Sequence, residues 1–224
     1  MSIKNNIENL LGKLPNNVTL VAVSKTKPIS DIQEAYNAGQ RVFGENKIQE
    51  MLSKYEVLPK DIQWHMIGHL QSNKIKYMAG FVDLIHGIDK FKTLKEVNKQ
   101  AIKYNRVINC LLQVKIANED SKFGFSADEI EVILKSEELK NLKNINIKGL
   151  MGMASFTANK NQVANEFSQL AKLNKELLNL NLLANVNLTI LSMGMSGDYQ
   201  IAIEYGSTMI RVGSAIFGNR NYQN

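Results

Sequence analysis

Two basic residues near opposite ends of the chain could do chemistry. Lys25 directly follows a short apolar run at residues 19–24, and Arg211 lies inside another at residues 209–213. Lysine is rarely interior unless it is paired or used. A lysine amine at this position could clamp a phosphate or, when neutral, attack an aldehyde. The alternative, a solvated Lys25 just beyond the strand, fits its position equally well.

Two loops rich in glycine and serine are candidates for binding a phosphate. Residues 192–197 read SMGMSG, and residues 213–218 read GSAIFG. Glycine lets backbone N–H groups approach an anion closely, and a helix that starts there adds favourable partial charge. Ordinary turns and helix caps would have the same composition, so both interpretations remain open at this point.

The elements that position these residues alternate regularly. Eight short apolar runs predict strands at residues 19–24, 41–44, 63–68, 84–88, 109–116, 147–153, 188–193 and 209–213. Amphipathic segments predict helices at residues 2–11, 29–38, 47–55, 93–104, 128–136, 161–179 and 196–205. This alternation predicts an α/β fold, a single (β/α)8 TIM barrel over residues 1–224 with an extra N-terminal helix. A doubly wound open sheet is the alternative.

A closed barrel would bring the candidate residues together. Chemistry in such barrels lies at the C-terminal ends of the strands, and phosphate often binds after strands seven and eight. Strand eight would neighbour strand one, so strands seven and one would lie about 10 Å apart. A ligand with an aldehyde at one end, a phosphate at the other and a small ring between them fits this gap. Pyridoxal 5'-phosphate is such a ligand.

Several motifs carry a more specific resemblance. They are AVSKTKP at 22–28, FGEN at 43–46 with Gln49 and Glu50, WHMIGHLQSNK at 64–74, HGIDK at 86–90, KFG at 122–124, GLM at 149–151, and the whole segment 191–218. In this order they resemble the pyridoxal phosphate homeostasis protein family, the YggS/PROSC-like proteins. That family shares the barrel domain of alanine racemase, a fold of the third structural type of pyridoxal phosphate (PLP) proteins.

The resemblance implies one cofactor, PLP, and a binding site with no catalytic residue. The implied site consists of Lys25, Asn46, Ser192, Arg211, Gly213 and Ser214. Lys25 would form a reversible Schiff base with the aldehyde, and Arg211 would face the pyridine nitrogen. Asn46 would approach from the end of strand two, and the remaining three would hold the phosphate through hydroxyl and backbone donors.

The sequence departs from the common pattern of the family at a few positions. His69 stands where many members have proline, and Gly87 follows His86 where serine is usual. Residues 152–157 (GMASFT) replace an ending of the Ile-Pro type. None of these positions belongs to the implied cofactor site, so the resemblance leaves the implied site intact.

The resemblance implies a carrier or buffer of PLP in vitamin B6 and amino-acid or keto-acid homeostasis, with PLP-dependent enzymes as recipients. Lys27 is a hypothetical acceptor of the aldehyde during transfer. A weak PLP-dependent amino-acid racemase is the alternative. The chain ends at Asn224 without the β-rich domain that supplies a second acid/base in alanine racemases. An arginine at the pyridine nitrogen also weakens the ring as an electron sink.

Composition argues against several other classes, and a barrel that binds nucleic acid or another anion remains a third alternative. The net charge of +6 is spread over scattered lysines, which predicts a solvated surface rather than a nucleic-acid interface. No apolar run reaches the roughly 18 residues of a membrane span. Cys110 is the single cysteine, which excludes an intramolecular disulfide. His65 and His69 lack the HExxH arrangement of a metal site. A cytoplasmic monomer or weak dimer without a metal is expected.

Overall fold

Eight parallel strands close into a barrel in the computed structural model, which describes residues 2–117 and 123–218. The strands are β1 Thr19–Val23, β2 Val42–Glu45, β3 Gln63–Met66, β4 Leu84–Ile88, β5 Ile108–Val114, β6 Ile145–Gly152, β7 Val186–Ser192 and β8 Met209–Val212. Each strand pairs with the next, and β8 pairs back onto β1. The predicted barrel is confirmed, and the open doubly wound sheet is wrong. Lys122 of the KFG motif lies outside the described residues.

Helices alternate with the strands along the chain. They are α1 Ile3–Leu11, α2 Ile29–Asn37, α3 Ile48–Val57, α4 Phe91–Lys103, α5 Ala127–Leu134, α6 Glu137–Lys140, α7 Lys160–Leu177, α8 Tyr199–Glu204 and α9 Ser214–Phe217. A 3-10 helix, Ser72–Tyr77, lies between β3 and β4. The predicted N-terminal helix precedes β1. In the part of the chain that the structure describes, no helix combines the length and apolarity needed to span a membrane.

The barrel has an inner and an outer apolar core. Inside, a small cluster of buried side chains includes Val21, Leu111 and Met209. Outside, a much larger cluster between strands and helices includes Phe43 and Trp64, both completely buried. Because both faces of each strand are covered, the strands read as nearly continuous apolar runs rather than as alternating ones. Burying a side chain such as Phe43 stabilises the fold by about 1.5–3 kcal/mol.

The boundaries differ from the sequence predictions where local hydrogen bonds intervene. The helix predicted at residues 128–136 ends at Leu134, because the Ser136 hydroxyl accepts from the Leu139 backbone N–H and starts α6. The helix predicted from residue 196 begins at Tyr199, after a turn in which the Asp198 backbone N–H donates to the Met195 carbonyl. The 3-10 helix and α9 are too short to show a hydrophobic period.

Gly149 allows two neighbouring strands to pass closely. Its φ is 151°, and a Cβ at this position would lie 1.8 Å from the Ile190 carbonyl oxygen. The pairing register of β6 with β7 shifts between Ile147 and Gly149. A side chain at position 149 would therefore force the two strands apart and strain the backbone.

Gly149→Ala should lower the free energy of unfolding by at least about 2 kcal/mol, through backbone strain and the clash with β7. Urea denaturation monitored by circular dichroism measures the change. Gly197→Ala is the matched control for stability, since a Cβ there meets nothing within 4 Å. The control should stay within about 0.5 kcal/mol of wild type. Equal stability of all three proteins would contradict the close approach seen here.

Candidate functional site

A cavity of about 470 Å³ opens at the C-terminal ends of β8, β1 and β2. Five of the six residues predicted for the cofactor site line it: Lys25, Asn46, Arg211, Gly213 and Ser214. A larger cavity of about 710 Å³ lies between α4 and α5, and its described lining contains none of the six. The smaller cavity is therefore the candidate site, because it gathers the groups that can bind an aldehyde and an anion.

Ser192, the sixth predicted residue, is completely buried and is not among the described residues that line the cavity. Its hydroxyl accepts a hydrogen bond of 2.6 Å from Arg211 Nη1. From the same loop, Ser196 lines the cavity instead, and its hydroxyl accepts from the Gly213 backbone N–H at 3.2 Å. The structure thus brings Ser196 rather than Ser192 to the wall next to the second glycine-serine loop.

The turn that carries Lys25 has an unusual backbone. Thr26 adopts a left-handed conformation with φ 64°, which is uncommon for a residue other than glycine. The Lys27 backbone N–H closes the turn onto the Ser24 carbonyl at 3.0 Å, and the Thr26 N–H donates to Glu50 Oε1 at 2.5 Å. The bond to Glu50 ties the turn to α3. The direction of the Lys25 side chain therefore depends on a helix that follows the next strand.

A buried ion cluster anchors this turn from beneath. Lys54 Nζ lies 2.7 Å from Glu45 Oε1 and 2.7 Å from Glu50 Oε1, and it donates to the Ser24 carbonyl at 2.8 Å. The Ser24 hydroxyl donates to Glu45 at 2.6 Å. Burial raises the pKa of the Glu45 carboxyl, and Lys54 opposes this shift. The sequence reading missed Lys54; the one signal was its i,i+4 spacing from Glu50.

Arg211 carries the fixed positive charge of the site. Its Nη2 donates to the Gly152 carbonyl at 3.0 Å, in addition to the bond from Nη1 to Ser192. Burial lowers the pKa of the guanidinium to about 10, so it remains a cation at neutral pH. Asp198 lines the same cavity, where burial raises the pKa of its carboxyl. The Asp198 side chain accepts from the Met195 backbone N–H inside the loop.

Lys27 also lines the cavity, but its ammonium is engaged with backbone. Its Nζ donates to the Phe217 carbonyl at 2.8 Å and contacts the Gly218 carbonyl at 3.3 Å. This contact joins the end of β1 to the loop after β8 and helps to close the site.

Two buried histidines lie inside the barrel beneath the cavity. Burial lowers the pKa of His65, and Asp83 opposes this shift. Burial lowers the pKa of His86 well below its ordinary value, helped by the nearby His65 and Arg211. Both imidazoles are therefore neutral at neutral pH. Both ring nitrogens of His86 have hydrogen-bond partners, Ser192 on one side and His65 on the other.

The donor set fits PLP. A lysine amine stands on the β1 side of the cavity, an arginine cation on the β8 side, and backbone and hydroxyl donors from Ser196, Gly213 and Ser214 lie at the loops after β7 and β8. A Cβ on Gly213 would approach the Val23 carbonyl to 3.2 Å, so glycine lets this backbone lie against β1. PLP requires three kinds of group: an amine to react with its aldehyde, a hydrogen-bond donor to its ring nitrogen, and uncharged donors around its phosphate.

Comparisons with known proteins agree with this chemistry. The family model described as alanine racemase, N-terminal domain, matches residues 1–221. A pyridoxal phosphate homeostasis protein of Aquifex aeolicus is 40% identical over 94% of this chain and 91% of its own length. One from Schizosaccharomyces pombe is 41% identical over 91% of this chain and 85% of its own length.

Solved structures of PipY and of alanine racemase resemble this protein. PipY of Synechococcus elongatus PCC7942, solved without PLP, superposes with a TM-score of 0.90 at 36% identity, covering 97% of this chain and 100% of PipY. PipY with PLP bound superposes with a TM-score of 0.87 at 35% identity and the same coverage. Alanine racemase from Bartonella henselae has a TM-score of 0.72 at 18% identity, covering 99% of this chain and 60% of the racemase, a likeness of fold alone.

Lys54→Met should lower the free energy of unfolding by about 3–5 kcal/mol, because it leaves the buried Glu45 carboxylate without its partner. The loss should shrink at acidic pH, where Glu45 takes up a proton. Lys140→Met, which removes an exposed pair with Glu137, should cost less than about 1 kcal/mol. Chemical denaturation of both variants measures the difference. A loss of the same size in both would contradict a structural role for the buried cluster.

Acidification should destabilise the protein through its buried histidines. The unfolded chain binds a proton at each histidine near the ordinary pKa of 6.5, whereas folded His65 and His86 resist protonation. Stability therefore falls as the pH drops below about 6.5. His86→Gln should reduce this slope by up to about 1.4 kcal/mol per pH unit. Urea unfolding of wild type and variant at several pH values measures it. Parallel pH profiles would mean that folding does not lower the pKa of His86.

Proposed function

Because the chain belongs to the pyridoxal phosphate homeostasis protein family, we propose that it binds PLP and carries or buffers this cofactor in vitamin B6 homeostasis. The observation that carries the proposal is the meeting of Lys25 with Arg211 and Gly213 around one cavity. When bound, PLP supplies an aldehyde that forms a Schiff base with an amine reversibly. Reversible attachment suits storage and release of a reactive aldehyde.

Each residue of the proposed site has a role that follows from its chemistry. Lys25 supplies the amine, and Arg211 donates toward the pyridine nitrogen. Ser214 and the Ser196 hydroxyl donate to the phosphate, and Ser196 lines the cavity where Ser192 does not. The Gly213 backbone N–H, which donates to Ser196 in the structure, would turn to the phosphate when PLP binds. Asn46 approaches from the end of β2. Charge-assisted hydrogen bonds contribute about 1.5–3 kcal/mol each, so a few of them would retain the cofactor.

The racemase alternative receives no support from the relatives. The curated relatives reported above, at about 40% identity, are homeostasis proteins, whereas the alanine racemase comparison is one of fold. An arginine opposite the ring nitrogen also favours an unprotonated ring, which is a weak electron sink. We therefore propose a carrier rather than a catalyst.

We also propose the form, location and partners of the protein in the cell. The chain would work as one barrel domain over residues 1–224, as a monomer or weak dimer in the cytoplasm. Recipient PLP-dependent enzymes would take the cofactor from it, and nucleic acid would not be a partner. The scattered distribution of its 27 basic residues supports the last of these points.

Borohydride reduction should fix PLP irreversibly onto Lys25 of the purified protein. The absorbance spectrum before and after reduction detects the attachment, and mass analysis of peptides locates it. Lys25→Ala should lose the visible band and the modified peptide. Lys27→Ala, a matched loss of a lysine at the same cavity, should still be modified at Lys25. A wild-type protein that takes up no PLP, or attachment at Lys27, would overturn the proposed role of Lys25.

A further inference from the structure

A continuous row of polar side chains crosses the barrel interior from the cavity to the opposite end. Its members, here called the Arg211–Asp83 chain, are Arg211, Ser192, His86, His65 and Asp83. Arg211 Nη1 lies 2.6 Å from the Ser192 hydroxyl, which lies 3.1 Å from His86 Nδ1. His86 Nε2 lies 3.0 Å from His65 Nδ1, and His65 Nε2 lies 3.4 Å from Asp83 Oδ2.

The ends of this chain determine the direction of every bond within it. A guanidinium can only donate, and an ionised carboxylate can only accept. His65 therefore donates from Nε2 to the Asp83 carboxylate. Because burial keeps both imidazoles neutral, His65 Nδ1 is unprotonated and accepts from His86 Nε2. His86 Nδ1 then accepts from the Ser192 hydroxyl, whose oxygen accepts from Arg211. All the hydrogen bonds point from the cavity toward Asp83.

The surroundings of the Arg211–Asp83 chain stabilise this direction of its hydrogen bonds. The two histidines are neutral because of their burial, and a proton on His65 Nδ1 would face the N–H of His86. The hydrogen bond from His65 holds the pKa of Asp83 below its ordinary value, with Arg106 adding to the effect. The Asp83 side chain is 47% exposed, whereas that of His65 is 4% exposed. The chain thus ends in an ionised, solvated carboxylate that anchors its direction.

We propose that the Arg211–Asp83 chain positions the Arg211 guanidinium as a fixed donor facing the ring nitrogen of the cofactor. Because the Ser192 proton is committed to His86, the serine oxygen presents lone pairs to Arg211. The Gly152 carbonyl holds the other end of the guanidinium at 3.0 Å. A donor held in this way selects a ring atom that accepts a hydrogen bond. The inference rests on the proposed function and deepens it, since it assigns positioning residues to the same site.

The hydrogen-bond directions in the Arg211–Asp83 chain can be tested without any cofactor. The protein contains three histidines, so ring-nitrogen NMR signals can be assigned with single variants, including His69→Gln. Wild type at neutral pH should have both His65 and His86 protonated on Nε2 alone. In Asp83→Ala the tautomers should mix, and the Arg211 side-chain N–H signals should exchange faster with water. Protonation on Nδ1, or an imidazolium at either position in wild type, would overturn the inference.

Asp61→Ala is the matched control for Asp83→Ala. Asp61 is also an acidic residue at the surface, with a side chain 57% exposed, and it lies 3.1 Å from Arg41 Nε. Its removal should leave the histidine tautomers and the Arg211 signals as in wild type. An effect of Asp61→Ala equal to that of Asp83→Ala would mean a general loss of structure and would overturn the positioning role.

Cofactor binding provides the second readout. PLP and its 1-deaza analogue, which has C–H in place of the ring nitrogen, are titrated into wild type and both variants. Asp83→Ala should weaken PLP binding by about two- to tenfold, the worth of one hydrogen bond. It should leave binding of the 1-deaza analogue unchanged, so the ratio of the two affinities, PLP over analogue, should fall. Equal weakening of both ligands, or no weakening of either, would overturn the inference. Failure of wild type to bind PLP would instead reject the proposed function, which the NMR signals do not test.

Discussion

The pairing of β8 with β1 is the constraint on which the candidate site depends. It sets Val21 beside Arg211 in register, so that the segments beyond both residues open onto the same cavity. In an open sheet of eight strands in this order, the first and last strands would lie about 34 Å apart. Lys25 and Gly213 would then belong to different surfaces. Closure thus places two segments that are distant in sequence on facing walls of one cavity, so that residues near both ends of the polypeptide belong to the same site.

The interior of the barrel contains both apolar and polar side chains. Val21 and Leu111 belong to its buried apolar cluster, whereas Arg211 and the two histidines are buried polar groups. Burying polar groups costs several kcal/mol unless their hydrogen bonds are made. Here they make these bonds with one another, and the charge at each end reaches the cavity or the solvent. The same arrangement that avoids this cost also determines which atoms of the site donate.

The residues of the site were predictable from the sequence to different degrees. Lys25 and Arg211 stand out, because a basic residue at or in a strand needs a partner, and barrel geometry locates strand ends without a structure. Ser192 was predicted at the phosphate, but it points into the barrel beneath Arg211. Lys54 was not singled out, since its partner Glu45 lies on another element and only the helical spacing from Glu50 was visible.

By itself, the sequence determined the order of strands and helices, the strand-end positions of the basic residues and the likeness to a family. These follow from local periodicity and from short motifs, both of which can be recognised in the sequence without a structure. The tertiary structure decided which serine reaches the cavity, which residues anchor the Lys25 turn and in which direction the interior hydrogen bonds run. These depend on strand register and on shifts such as that between Ile147 and Gly149. Register is set by contacts between segments far apart in sequence, because a slip of one residue turns every side chain to the opposite face.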